Sequence, residues 1–128
     1  MPVLSTEHKA RLSARAALEK KAEDLMILNL QGISGVADFF LLCSGRSTAQ
    51  IQTIAEAVEG QLKGEGIRPL HREGLPESGW LLIDYGDLVI HVFLEKTRQF
   101  YALERLWGTR RSSPWSAGRG IDFGWGSW

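Results

Sequence analysis

Asp84, Asp87 and His91 fall within the eight residues DYGDLVIH. Two carboxylates and an imidazole are the side chains of a divalent-metal site or of acid–base catalysis. Their spacing decides whether they can act together. The flanking runs WLLID (80–84) and DLVIHVFL (87–94) are strand-like, and Tyr85-Gly86 between them reads as a tight hairpin turn. With a two-residue loop, Asp84 lies opposite Asp87, Leu82 opposite Val89 and Trp80 opposite His91. Side chains alternate faces along a strand. One face then carries Leu81, Ile83, Leu88, Ile90, Val92 and Leu94; it is wholly apolar and must be covered by helices. The other carries Trp80, Leu82, Asp84, Asp87, Val89, His91 and Phe93.

Asp87 and His91 share that second face, but four strand residues separate them by ~13 Å. Metal ligands converge on one ion at about 2.0–2.2 Å, so one regular strand cannot bring these two together. Asp84 and Asp87 form a repelling cross-strand pair. With outside ligands they could hold a divalent cation; otherwise they bracket the turn, where Asp bonds to nearby backbone. His91 belongs instead with Trp80, Leu82, Val89 and Phe93. A helix covers such a face and leaves His91 as a satisfied imidazole at the core's edge, or a partner lands on it. Trp concentrates at binding hot spots because it buries much area and keeps a polar handle.

Other chemistry has weaker support. SGRS (44–47) at a strand-to-helix turn resembles phosphate-binding loops. It lacks the Walker Lys and the G-x-G-x-x-G spacing. No two acidic residues stand at i, i+2, the pattern a nucleotidyl-transfer site uses to hold Mg²⁺. No G-x-S-x-G elbow presents a serine nucleophile, and His8 and His71 have no evident partners. The enzyme reading that remains is a nucleotide-binding or nucleotidyltransferase-type site built from the Ser44-Gly45 turn with Asp84 and Asp87.

The whole chain bounds these options. Its 128 residues suffice for one domain. Fifteen basic and fifteen acidic side chains cancel, so no global field draws it to nucleic acid or anionic membrane. The single Cys43 excludes an internal disulfide framework and a Cys-rich zinc site; set in FFLLC, it reads as a small buried hydrophobe. No run approaches the ~18 apolar residues of a membrane span. The N-terminus lacks the apolar core of a secretory signal, and its acidic residues argue against a transit peptide. The expected location is cytoplasmic.

These residues need elements to position them. Residues 6–24 read as a helix with Ala14, Leu18, Ala22 and Leu25 on one face. LMILNL (25–30) and DFFLLC (38–43) read as buried strands. Ser47 and Gln50 form a capping box for a helix whose stripe is Ile51, Ile54, Ala55, Val58 and Leu62, stopped by Gly64 and Gly66. IRPLH (67–71) reads as a strand pushed to a sheet edge by Pro69. Its place after strand and helix suggests a parallel crossover with residues 38–43. After the hairpin, Thr97 can cap a last helix bearing Phe100, Leu103 and Trp107. The expected fold is one α/β domain with a mixed sheet of about five strands. Residues 109–128, rich in Gly, Arg and Trp, read as a disordered tail with unusual aromatics. Arg110, Arg111 and Arg119 with these aromatics would suit RNA.

The segments KKAEDLMILNL, ADFFLLCSGRSTAQ and GWLLIDYGDLVIHVFLEKTRQFYALERLW, in that order, resemble the ribosomal silencing factor family, also called Iojap-related proteins. The resemblance runs from about residue 10 to Gly108, giving a domain over residues 1–108 and the tail beyond it. It implies a nucleotidyltransferase-like shape without the catalytic carboxylates, and a translational regulator rather than an enzyme. It implies binding to the large ribosomal subunit through large-subunit ribosomal protein fourteen, which sterically blocks joining of the small subunit and lowers translation when nutrients are short. Some members form homodimers. No cofactor, metal, membrane or small-molecule substrate is expected. The family pattern matches at Asp38, Ser44, Gly45, Ser47, Trp80, Asp84, His91, Phe93, Arg98, Tyr101, Glu104 and Trp107. Trp80, Leu82, Asp84, His91 and Tyr101 are the expected partner-binding residues, and Phe100 and Trp107 the expected packing residues. Neutral net charge suits docking on a protein more than on bare RNA.

Overall fold

The computed structural model describes residues 5–31 and 37–95. Helix α1 spans Thr6–Glu19. Ser5 caps it, its Oγ accepting the His8 N–H at 3.1 Å. The helix ends five residues before the apolar spacing suggests. Lys21 takes φ 70, and the Lys21 and Ala22 N–H groups return to the carbonyls of Leu18 and Ala17. That is a Schellman closure, with lysine where glycine is usual. Ala22 and Leu25 still join the core, but from the turn and from strand β1, Glu23–Asn29.

Strand β2 spans Phe39–Gly45 and helix α2 Thr48–Lys63. All five residues of the expected α2 stripe are buried. Ile51, Ile54, Val58 and Leu62 contribute roughly 1.5–3 kcal/mol each on transfer from water. The expected capping box forms only in part. Ser47 Oγ accepts the Gln50 N–H, but the Gln50 carbonyl reaches one residue further, to the Arg46 N–H at 2.7 Å. The Gln50 amide donates to the carbonyls of Lys20 and Lys21, which ties the start of α2 to the end of α1.

Strand β3 is His71–Glu73, starting four residues later and ending two later than IRPLH suggests, followed by a 3₁₀ turn at Pro76–Ser78. Strands β4, Trp80–Asp84, and β5, Leu88–Leu94, complete one mixed sheet in the order β1-β2-β5-β4-β3. Among the described strands, β2 and β5 pair in parallel and the other neighbours are antiparallel. The expected parallel partner of β2 was the strand after α2, and β5 takes that place. From Leu88 to Phe93, β5 is buried throughout, as a central strand must be. Residues 71–73 are all exposed and charged or polar, which suits an edge and deters pairing with other chains.

Both described helices cover the same sheet face. Leu81, Ile83, Leu88, Ile90 and Val92 pack there against α1 and α2, as the alternation in β4 and β5 requires. Tyr85 joins them, and burial pushes its phenol pKa up, with the nearby Glu59 charge adding to the effect. Among the described residues no helix is long and apolar enough to cross a membrane. The expected last helix and the tail from residue 109 lie outside the described residues.

Candidate docking face

The β4–β5 register sits two residues from the one a loop at Tyr85-Gly86 would impose. Trp80 pairs with Phe93, Leu82 with His91 and Asp84 with Val89. Tyr85 N–H donates to the Leu88 carbonyl, so the chain turns at Gly86-Asp87, one residue later than expected, and Asp84 Oδ1 accepts the Gly86 N–H at 2.7 Å. Asp84 is thus a turn residue that bonds to backbone two positions on, and Gly86 supplies φ 92. A shift of two leaves the strand residues on their expected faces, because the side-chain period is two.

Asp87 is the exception. It precedes β5, so strand alternation does not govern it. Its carboxylate turns to α1, where Lys9 Nζ lies 2.8 Å from Oδ2 and Thr6 Oγ donates at 2.5 Å. Burial alone would raise its pKa. The hydrogen bonds from Lys9 and Thr6 outweigh that and hold it below the ordinary value. Asp84 and Asp87 therefore serve two separate structures, and the carboxylate pair of the enzyme reading does not form.

The Ser44-Gly45 turn is also not a turn. Both residues are buried in β2. A Cβ on Gly45 would lie 2.9 Å from Ile51 Cγ2, so packing against α2 accounts for the glycine. The backbone N–H groups of Arg46 and Gln50 are held by Gln50 and Ser47 side chains, not presented to an anion. Among the described residues no group of three or more His, Cys, Asp or Glu could hold a metal ion.

The register lays out the sheet face away from α1 and α2. One row across the strands is Met26, Leu42, His91, Leu82 and Glu73; the next is Leu28, Phe40, Val89, Asp84 and His71. The face is apolar over β1, β2 and β5 and polar toward β3. Leu28, Leu42 and Phe93 are fully buried, while Trp80, Leu82 and Asp84 are half-buried.

Trp80 and His91 meet on the diagonal, not across the hairpin. Trp80 Nε1–H donates to His91 Nδ1 at 3.2 Å, and the indole stacks on Phe93 at 5.2 Å between centroids. Phe40 closes on the imidazole at 4.7 Å. Burial drives the His91 pKa down to about 4, against the opposing pull of Asp84. The imidazole is therefore neutral at pH 7. The indole donor selects the tautomer with its proton on Nε2. That Nε2 is buried and has no hydrogen-bond partner among the described residues, which satisfy His91 on one side.

Four of the five expected partner-binding residues, Trp80, Leu82, Asp84 and His91, thus share one face. Tyr101 lies outside the described residues. The sequence reading missed a groove of 240 Å³ beside them, lined by Glu73, Gly74, Ser78, Trp80 and Leu82. The stretch REGLPESG shows no periodic signal; only the pairing of β3 with β4 brings Glu73 beside Leu82.

A mixed five-stranded sheet with both described helices on one face leaves the other face, with Trp80, Leu82, Asp84 and His91, as the candidate site. The sequence profile described as "Ribosomal silencing factor during starvation" matches residues 3–122. The chain is 45% identical to the ribosomal silencing factor RsfS of Bacillus subtilis over 98 residues, covering 77% of this chain and 83% of that one. It is 30% identical over 95 residues to the mouse protein named mitochondrial assembly of ribosomal large subunit protein 1, covering 72% and 42% of the two chains. A crystal structure from Chromobacterium violaceum superposes with a TM-score of 0.79 at 28% identity, over 95% of this chain and 99% of that one. The chain belongs to the ribosomal silencing factor family.

Proposed function

We propose that this protein represses translation by binding the large ribosomal subunit through large-subunit ribosomal protein fourteen. Bound there, it occupies space the small subunit needs and prevents joining when nutrients are short. The action is mechanical and cytoplasmic, with no catalysis and no small-molecule substrate. It requires a buried interface above ~1,000 Å² and a position that the small subunit would otherwise take.

The observation that carries this reading is the half-buried row of Trp80, Leu82 and Asp84 beside buried His91, on the face away from both described helices. Phe93 and His91 hold the indole in place, so little side-chain freedom remains to be lost on docking. The name of the mouse relative supports a large-subunit partner. Tyr101 belongs to the same proposed surface, and a homodimer is a further proposed association. The test is co-sedimentation with isolated large subunits alongside a subunit-joining assay. Wild-type protein should block joining, and Trp80→Ala should lose sedimentation while remaining folded. Unimpaired sedimentation of folded Trp80→Ala would remove this face from the function.

A further inference from the structure

The groove beside Trp80 has a chemistry of its own. Its walls are Trp80 and Leu82, and its polar lining is Glu73 and Ser78. Its volume of 240 Å³ lies below the ~300–1,000 Å³ of small-molecule sites and suits one long side chain. Gly74 lets its backbone lie close against β4. It takes φ 87, and a Cβ there would stand 2.1 Å from the Trp80 carbonyl oxygen. Ser78 Oγ is engaged with the Leu75 and Trp80 carbonyls, so Glu73 is the group able to bind a charge. Its carboxylate is exposed, and among the described residues His71 Nε2 meets it at 2.9 Å.

The segment that lines the groove is acidic although the chain as a whole is neutral. Residues 73–94 contain four acidic residues, Glu73, Glu77, Asp84 and Asp87, and no Lys or Arg. Lys9 neutralises Asp87 from α1. Arg72, the nearest cation in sequence, bonds Glu59 and Gln52 of α2 on the opposite face. Among the described residues, Glu73 is the one charged side chain lining the groove.

We propose that this groove receives an arginine side chain of the protein partner, its stem against Leu82 and Trp80 and its guanidinium on the Glu73 carboxylate. The planar fork matches a carboxylate, and the long stem can lie along apolar walls. The same carboxylate repels phosphate, which favours a protein side chain over RNA. The proposal rests on this face being the docking face, and its test separates the two.

In the first arm, the ¹⁵N-labelled full chain is titrated with N-acetyl-arginine amide and, as a control, N-acetyl-norleucine amide. Saturable shifts at Glu73, Gly74, Ser78 and Trp80 are expected with the arginine compound alone and should vanish in Glu73→Gln. No shift, or equal shifts with both compounds, overturns the pocket. In the second arm, Glu73→Gln should weaken co-sedimentation with large subunits about tenfold, and Glu73→Lys should weaken it further. Wild-type binding by Glu73→Gln while Trp80→Ala loses binding overturns the arginine contact and leaves the docking face intact. Tighter binding by Glu73→Gln identifies RNA as the occupant and also overturns it. If neither variant changes sedimentation, the docking reading fails, and the first arm alone decides the pocket.

Discussion

Trp80 donates its indole N–H to His91 Nδ1 across 3.2 Å, although neither residue is the other's strand partner. The register pairs Trp80 with Phe93 and His91 with Leu82. The diagonal contact lets one aromatic side chain stack on Phe93 and fix a buried imidazole at once. It also makes the proposed docking face sensitive to acid.

His91 titrates at about 4 in the fold against an ordinary value of 6.5, because burial disfavours its charged form. A depressed pKa contributes stability that is present above pH 6.5 and lost as pH falls toward 4. The full contribution is on the order of 3 kcal/mol. Urea unfolding between pH 7.5 and 4.5 should show wild type losing stability more steeply than His91→Asn. Parallel pH slopes in the two proteins would contradict this assignment.

Asp87 gives a second acid transition in a lower window. Its pKa is held below the ordinary 3.8 by Lys9 and Thr6, so its contribution is present above that value and lost below it. Lys9→Met leaves a partly buried carboxylate uncompensated and should cost about 1–3 kcal/mol. A Lys9→Met, Asp87→Asn double-mutant cycle should recover part of that loss. Strict additivity would show that the pair does not couple α1 to the hairpin.

Lys21 occupies a left-handed position at the end of α1. Glycine there carries no Cβ penalty, so Lys21→Gly should stabilise the protein by up to about 1 kcal/mol. The urea midpoint should rise with an unchanged slope. A fall would mean that unfolded-chain entropy outweighs the relief of strain.

Gly45 separates packing from anion binding. Gly45→Ala would crowd Ile51 Cγ2 and should cost about 1–3 kcal/mol. Differential scanning calorimetry should record the lowered Tm without phosphate, and added phosphate should shift wild type and variant equally. Phosphate-dependent stabilisation of wild type alone would restore the nucleotide reading of that turn.

The α2 stripe, the β4 and β5 strands and the sorting of their side chains onto two faces were legible in the sequence. Each follows from local spacing, which fixes which way a side chain points once the element type is known. That is why Trp80, Leu82, Asp84 and His91 were grouped correctly even though the register was off by two residues. The family was legible too, in motifs long enough to compare.

Tertiary structure alone decided the rest. Alternation cannot count residues across a hairpin; hydrogen bonds at Tyr85 and Asp84 set that register. Nor does local spacing show that β5 displaces β3 beside β2, because burial on both faces is satisfied only at the centre of an assembled sheet. The helix pattern over residues 6–24 broke at Lys21 because Ala22 and Leu25 reach the same core from outside the helix. Asp87 left its expected face because the turn handed it to Lys9, 78 positions away in the chain. Apolar periodicity determined the faces of this protein; contacts between distant segments determined what those faces hold.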